Sequence, residues 1–352
     1  MFSFVKSLRF FSAIILVACC ITLLLSAGVR GQSAGKVVLA SWGGSWQDAL
    51  RAVWLKPFQK DTGIEVIDTS PIDYGKVKAM VLSRHVVWDV FEPTQAWVTQ
   101  GIKDGLLEPL DYKVIPTEGV APYYVTDYAV ANAVYAMAIT CRTDAYPNGA
   151  MPQSWAEFWD TQKFPGPRTL PKQPQQTLEI ALMADGVPPS NLYPLDVDRA
   201  LKSLDKIRGS VPTWYDNAST ATQLLVDKEV KCAALYHNRV WAMQKNGVPV
   251  KYIVNQAVLE YAFWSIPRGA PNNANAQKLI AYWFRPQVQA AFAKMIGAAP
   301  VSTKAFAYLD PATASKLPTA PQYKNQVVIE SQAYWGPNYT KVLEQFNQWL
   351  LK

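Results

Sequence analysis

The stretch from Lys36 to Asp68 constrains the fold of this chain more than any other. Val37-Val38-Leu39-Ala40 is a short apolar run of strand character, and it breaks at Ser41-Trp42-Gly43-Gly44-Ser45-Trp46. Leu50, Val53, Trp54, Leu55 and Phe58 then recur at roughly helical spacing and define one apolar face. Lys60-Asp61-Thr62-Gly63 ends that helix with a glycine where a left-handed cap would sit. Ile64-Glu65-Val66-Ile67 reads as the next strand. The opening unit is therefore strand, turn, helix, strand, with the glycine turn at the carboxyl end of the first strand. In open α/β sheets ligands bind at that end.

Residues 1–31, ahead of this unit, read as an export signal. Lys6 and Arg9 give the positive start, 10–25 is apolar without a charge, and Ser26, Ala27 and Gly28 are small. Cleavage is expected before Gln32, with Ser26-Ala27-Gly28 as a second choice. A retained membrane anchor is the alternative, because the run approaches spanning length. Leu16-Val17-Ala18-Cys19 also matches a lipoprotein box, although 20–25 stays apolar where such a sequence would turn polar. Removing 1–31 takes Lys6, Arg9 and Arg30 and no acid, so the net charge falls from +7 to +4. That excess is spread along the chain, and nucleic-acid binding, which wants a clustered basic patch, is not expected.

Roughly 320 residues follow the signal, more than one core usually holds, so two domains are expected. Apolar strand-like runs at 134–140 and 262–267 are the candidates for crossings between them. The division expected is 36–138 with 267–352 as lobe 1 and 142–261 as lobe 2, with hinge crossings near 139–141 and 262–266. Helices are read at 155–159, 176–185, 196–208, 274–284 and 286–296, with a terminal helix at 338–351. A strand is read at 230–236. Pro286 falls in the first turn of its helix, where its missing N–H costs little.

No enzyme is expected. His85 and His237 are the two histidines, far apart and without matched partners, whereas zinc and acid–base sites lean on clusters. Gly-x-Ser-x-Gly and the Walker pattern are absent. Catalytic residues, metal and cofactor are all read as none. Cys141 and Cys232 remain after the signal is removed. An oxidising compartment permits a bond between them, but two small buried thiols are the preferred reading.

Phe58-Gln59-Lys60-Asp61-Thr62-Gly63-Ile64-Glu65-Val66 is followed by Trp88-Asp89-Val90-Phe91-Glu92-Pro93-Thr94 and Gly101-Ile102-Lys103-Asp104-Gly105-Leu106-Leu107. Ser154-Trp155-Ala156-Glu157-Phe158-Trp159 and Phe284-Arg285-Pro286-Gln287-Val288-Gln289 complete the series. In that order the segments resemble the polyamine-type (spermidine/putrescine-like) periplasmic solute-binding proteins of ABC importers. The resemblance implies an α/β, two-lobed type II binding-protein fold, each lobe a mixed sheet flanked by helices and joined by a hinge. It also implies a periplasmic monomer that passes a small-molecule solute to the permease subunits of an inner-membrane ABC transporter.

Trp42, at the end of the first strand, is placed to wall the cleft. Gly43, Gly44 and Ser45 bring backbone N–H groups to a helix start that favours an anion, or they form a turn that merely packs. Thr94, with Gln95 as a weaker candidate, matches in order the family's polar loop, a structural turn residue being the alternative. Tyr236 occupies the place of the family's aromatic wall. Arg239, one helical turn later, could clamp a carboxylate, or point to solvent, or pair with Asp227 or Glu229. Glu260 and Tyr261 fall where the family sets an acid beside an aromatic, suited to an ammonium and a cation–π contact. A plain strand-edge glutamate is the other reading of Glu260.

Three departures bear on the ligand. Glutamines and a lysine stand in Pro171-Lys172-Gln173-Pro174-Gln175-Gln176 where polyamine binders carry acids. Ala298-Ala299 replaces an aromatic, and Gly44-Ser45 replaces an acid and an aromatic. The cage for a polycation looks dismantled, since each ammonium needs charge compensation once out of water. A zwitterionic, amino-acid-like amine is the preferred ligand. Putrescine or spermidine is the alternative, and a secreted enzyme on the same scaffold is the competing class.

Overall fold

The structure is a computed structural model that describes residues 35–146 and 148–352. The signal reading of 1–31 and the lipoprotein reading of Cys19 fall outside the described residues. The opening unit forms as its spacing dictates. After β1 (Lys36–Ala40), Gly43 and Gly44 adopt φ of 87° and 57°, which side chains with a Cβ avoid. Helix α1 (Gly44–Leu50) follows and runs through a π-turn at Arg51–Leu55 into α2 (Lys56–Thr62). Gly63 closes it at φ 71°, its N–H donating to the Gln59 carbonyl at 2.9 Å. Strand β2 (Glu65–Thr69) then pairs parallel with β1, from Lys36 opposite Glu65 to Ala40 opposite Thr69.

The remaining strands are β3 (Val90–Phe91), β4 (Ala129–Arg142), β5 (Arg168–Pro171), β6 (Thr213–Tyr215), β7 (Cys232–Tyr236), β8 (Val250–Ser265), β9 (Ala299–Pro300) and β10 (Val328–Ile329). Four further helices shape the site: α3 (Gln95–Lys103), α4 (Thr177–Ala184), α5 (His237–Lys245) and α6 (Gln332–Leu350). The hydrogen-bonded order is β2-β1-β3-β8-β4-β7-β5-β6, with β10 on β8 and β9 on β4. Strands β4 and β8 run antiparallel along their whole lengths, from Ala129 opposite Ser265 to Arg142 opposite Val250. Both are buried almost throughout, which explains their continuous apolar character. Tyr135 is the one half-buried residue of β4, and Glu260 interrupts a buried stretch within β8, between 257–259 and 261–265. The register slips between Met137 and Ile139, and there Gln256 of β8 takes φ 60°. Its side chain accepts the Trp155 N–H at 2.9 Å and its carbonyl accepts the Trp155 indole at 2.8 Å. This bulge fixes helix Trp155–Trp159 to the central pair.

Two apolar clusters flank this pair. Trp54, Trp264 and Trp283 pack ring on ring in the first. Trp155, Phe158, Leu204 and Ile207 belong to the second, together with Trp335, Val342, Phe346 and Trp349 of α6. The terminal helix therefore packs on the second core, although the sequence reading had placed all of 267–352 with the first. It also starts six residues earlier than expected, because Ser331 caps it and Pro337 sits inside rather than ahead of it. Helix periodicity identifies an apolar face but not the surface it meets.

Cys141 and Cys232 form a disulfide, which corrects the preference for two free thiols. They are directly opposed on β4 and β7, with Cα atoms 4.1 Å apart, and both are fully buried. Cross-strand pairing across 91 residues is invisible to local sequence spacing. Among the described residues, no helix is long and apolar enough to cross a membrane.

Candidate functional site

Tyr135 of β4 and Glu260 of β8 face each other in register, and both open onto a cavity of about 370 Å³. Trp42 and Thr94 line it on the side of the first strands, and Tyr236 and Arg239 on the side of β7 and α5. Tyr261 completes the floor, while Gln175, Glu330 and Gln332 close the far end. Six of the nine residues anticipated from sequence thus share one cavity. Gln95 joins them there.

Trp42 sets its edge on Tyr74 at 6.3 Å, and Tyr74 stacks on Trp97 at 5.2 Å, so a row of rings supports this wall. The Thr94 N–H donates to the Tyr74 hydroxyl at 3.0 Å, while Thr94 Oγ1 accepts the Trp97 N–H as the cap of α3. One residue thus both caps α3 and lines the cavity. The Tyr236 hydroxyl donates to Gln176 Oε1 at 3.0 Å, and Gln176 Nε2 donates to Glu260 Oε2. Gln176 is buried and held at φ 64°, a conformation that side chains with a Cβ rarely adopt. Burial raises the Glu260 carboxyl above its ordinary range, against the pull of Tyr236 and Gln176. Tyr261 donates to the Tyr123 carbonyl at 3.2 Å and meets the Tyr124 ring edge-on. Arg239, in the first turn of α5, is exposed and makes no ion pair or hydrogen bond among the described residues. Asp227, one partner weighed for it, accepts from Gln223 instead.

Gly43, Gly44 and Ser45 do not line the cavity. Their turn is needed for its backbone: positive φ at both glycines, and a Cβ on Gly43 would lie 3.0 Å from Ser70 Oγ. His237 does not line it either. Burial pushes its imidazole down to about 4, and Nδ1 accepts the Ala136 N–H, so it braces β4 as a neutral ring. Among the described residues, no cluster of histidine, cysteine and carboxylate is arranged to hold a metal.

The profile of the bacterial extracellular solute-binding proteins matches residues 54–323. The chain belongs to this family. The solute-binding protein is 32% identical to the γ-aminobutyric acid-binding protein of Pseudomonas aeruginosa, over 93% of this chain and 94% of that one. It is 25% identical to spermidine/putrescine-binding periplasmic protein 1 of Haemophilus influenzae, over 68% of each. It superposes on the solved Atu4243 GABA receptor with a TM-score of 0.81 at 37% identity, covering 89% of this chain and 97% of that one. The fold is the two-lobed α/β binding-protein fold, and the protein is a substrate-binding component of the ABC-transporter type.

Sequence reasoning missed Tyr135, Asn238, Glu330 and Gln332 in this solute-binding protein, and it underrated its carboxylates. The loss of acids holds for 171–176 but not for the cavity as a whole, since Glu330 arrives there from the C-terminal segment. Behind it lies Glu179, fully buried, whose Oε1 accepts from Tyr193 and from the Trp335 indole, each at 2.7 Å. No local pattern announces Glu330, because Gln175 and the β8 residues that seat it lie far away in sequence, Gln175 155 residues earlier.

Glu92 is a further buried acid, two residues before Thr94. Ser41 Oγ donates to it at 2.6 Å, Asn132 Nδ2 at 2.7 Å and the Trp46 indole at 2.9 Å. All three donors are neutral, and burial outweighs them and pushes the carboxyl up to about 7. The folded protein then holds a proton that the unfolded chain releases above about pH 4.5, so stability falls as pH rises from there to about 7. Glu92→Gln should abolish that fall and leave the variant about 2 kcal/mol more stable than wild type at pH 8. A flip of Asn132 would give the new amide an acceptor, since Asn132 Oδ1 is buried without a partner. Urea unfolding at pH 5 and pH 8 checks this, and parallel pH slopes for the two proteins would refute it.

Proposed function

We propose that the protein captures a small ω-amino acid outside the cytoplasm and passes it, chemically unchanged, to an ABC permease. The carrying observation is one cavity with an unpaired guanidinium, Arg239, and a half-buried acid, Glu260. Arg239 takes the carboxylate through its planar fork. Glu260 takes the ammonium, with Tyr236 and Tyr261 as walls and Trp42 and Thr94 approaching from the other lobe. Two relatives whose names carry γ-aminobutyrate support this reading. The lobes divide near 139–141 and 262–266, and closure follows from a solute that touches both. Residues 1–31 act as the export signal, and the working form is a monomer.

Calorimetric titration of the refolded 32–352 chain with 4-aminobutyrate, putrescine and spermidine tests this. Micromolar or tighter binding of the amino acid, with weak polyamine binding, is expected, and the solute should be recovered intact. Glu330 beside Glu260 favours a diamine as the second reading. Tight binding of putrescine with none of 4-aminobutyrate would establish it and remove the first. Conversion of the solute would place the protein among enzymes.

A further inference from the structure

The C-terminal segment does more than end the chain. Strand β10 adds in parallel to β8, with Val328 opposite Val258 and Ile329 opposite Leu259, and the Glu330 N–H donates to the Leu259 carbonyl at 3.0 Å. This seat, one residue before Glu260, holds Glu330 at the end of the cavity. Helix α6, capped by Ser331, then anchors the strap on the second core. The strap lies beyond the 54–323 region matched by the family profile.

Among the described residues, no cation pairs or hydrogen-bonds with Glu330. Its Oε1 accepts from Gln332 at 2.6 Å and from Gln175 at 3.2 Å, and its Oε2 is buried without a partner. Glu179 Oε2 is likewise buried and unpartnered. The charged and titratable groups that face Glu330 are Glu179 of α4, Glu260 of β8, and the hydroxyls of Tyr193, Tyr236 and Tyr261. Arg239 stands across the same cavity. Burial and their mutual repulsion raise all three carboxyl groups above the ordinary range, so one of them holds a proton more readily than a solvated acid.

Resting on the ω-amino acid reading, we propose that Glu330 is the second anchor of the ligand's ammonium and takes it in exchange for a proton. The balance is simple: the ammonium keeps its own protons, the Glu330 carboxyl loses one to solvent, and carboxylate pairs with cation. Glu330 thereby sets selectivity for a cationic end with at least two N–H donors, one for Glu260 and one for itself. Below the pH at which the empty cluster ionises, affinity should fall by up to about tenfold per pH unit.

Two measurements test it. Calorimetry with 4-aminobutyrate at pH 6.5, in phosphate and in imidazole, should give buffer-dependent enthalpies that report release of about half to one proton. Glu330→Gln keeps an oxygen for Gln175 and Gln332, so it should fold, release almost no proton and bind about tenfold more weakly at pH 8. Undiminished affinity in the variant overturns the anchor, and persistent proton release overturns the exchange. A potentiometric titration of the ligand-free proteins, wild type minus Glu330→Gln, covers the case in which 4-aminobutyrate does not bind. A proton held above the ordinary carboxylate range supports the cluster even then, whereas an ordinary one overturns it. Absence of binding alone would count against the ligand reading, not against this one.

Discussion

Replacing Arg239 with methionine should weaken binding of 4-aminobutyrate roughly 10- to 100-fold and leave putrescine binding unchanged or stronger. A charge-assisted hydrogen bond is worth about 1.5–3 kcal/mol, and the ligand carboxylate would lose that once its guanidinium is gone. Methionine preserves the packing of the stem while removing the fork. Arg239 has no partner among the described residues and is exposed, so its loss should change stability by no more than about 0.5 kcal/mol. Stability and affinity therefore separate cleanly. Calorimetric titration of both ligands, beside a urea melt, decides the matter. Equal losses for amino acid and diamine would show that Arg239 shapes the site without contacting the carboxylate.

Cys141→Ala with Cys232→Ala should lower stability by about 3–4 kcal/mol, the largest effect foreseen for a change away from the cavity. The bond closes a loop of 91 residues, and tying two points so far apart removes much conformational freedom from the unfolded chain. Both sulfurs are buried, with the Tyr146 hydroxyl 3.3 Å from Cys232 Sγ, so dithiothreitol should act only as the fold opens. Equilibrium urea unfolding should then show wild type plus reductant approaching the double variant. The bond joins β4 to β7 on the far side from Tyr236, and ligand affinity of the variant should stay within about twofold. Unchanged midpoints, with and without reductant, would mean that the bridge adds nothing.

The two halves of the site were legible to different degrees. Trp42, Thr94, Tyr236 and Arg239 stand at the ends or turns of elements whose limits local spacing reveals, Glu260 and Tyr261 lie within β8, and all six line the cavity. Gly43 and Gly44 were read correctly as a turn, but their backbone N–H groups do not reach the cavity. Glu92 and Glu179 carried no signal at all. A glutamate in sequence looks the same whether solvated or buried, and only its neutral donors, brought from distant strands and helices, reveal its condition.

The sequence by itself determined the opening strand–turn–helix–strand unit, the apolar character of β4 and β8, the order of helices and the class of protein. These follow from periodicity, glycine conformation and ordered motifs, which act over a few residues. Only the tertiary structure decided which side chains face one another. Pairing of β4 with β8 set Tyr135 against Glu260, and pairing with β7 joined Cys141 to Cys232. The strap carried Glu330 to the cavity. Such meetings depend on strand register and on the packing of remote surfaces. A shift of one residue would turn each of these side chains to the opposite face of the sheet.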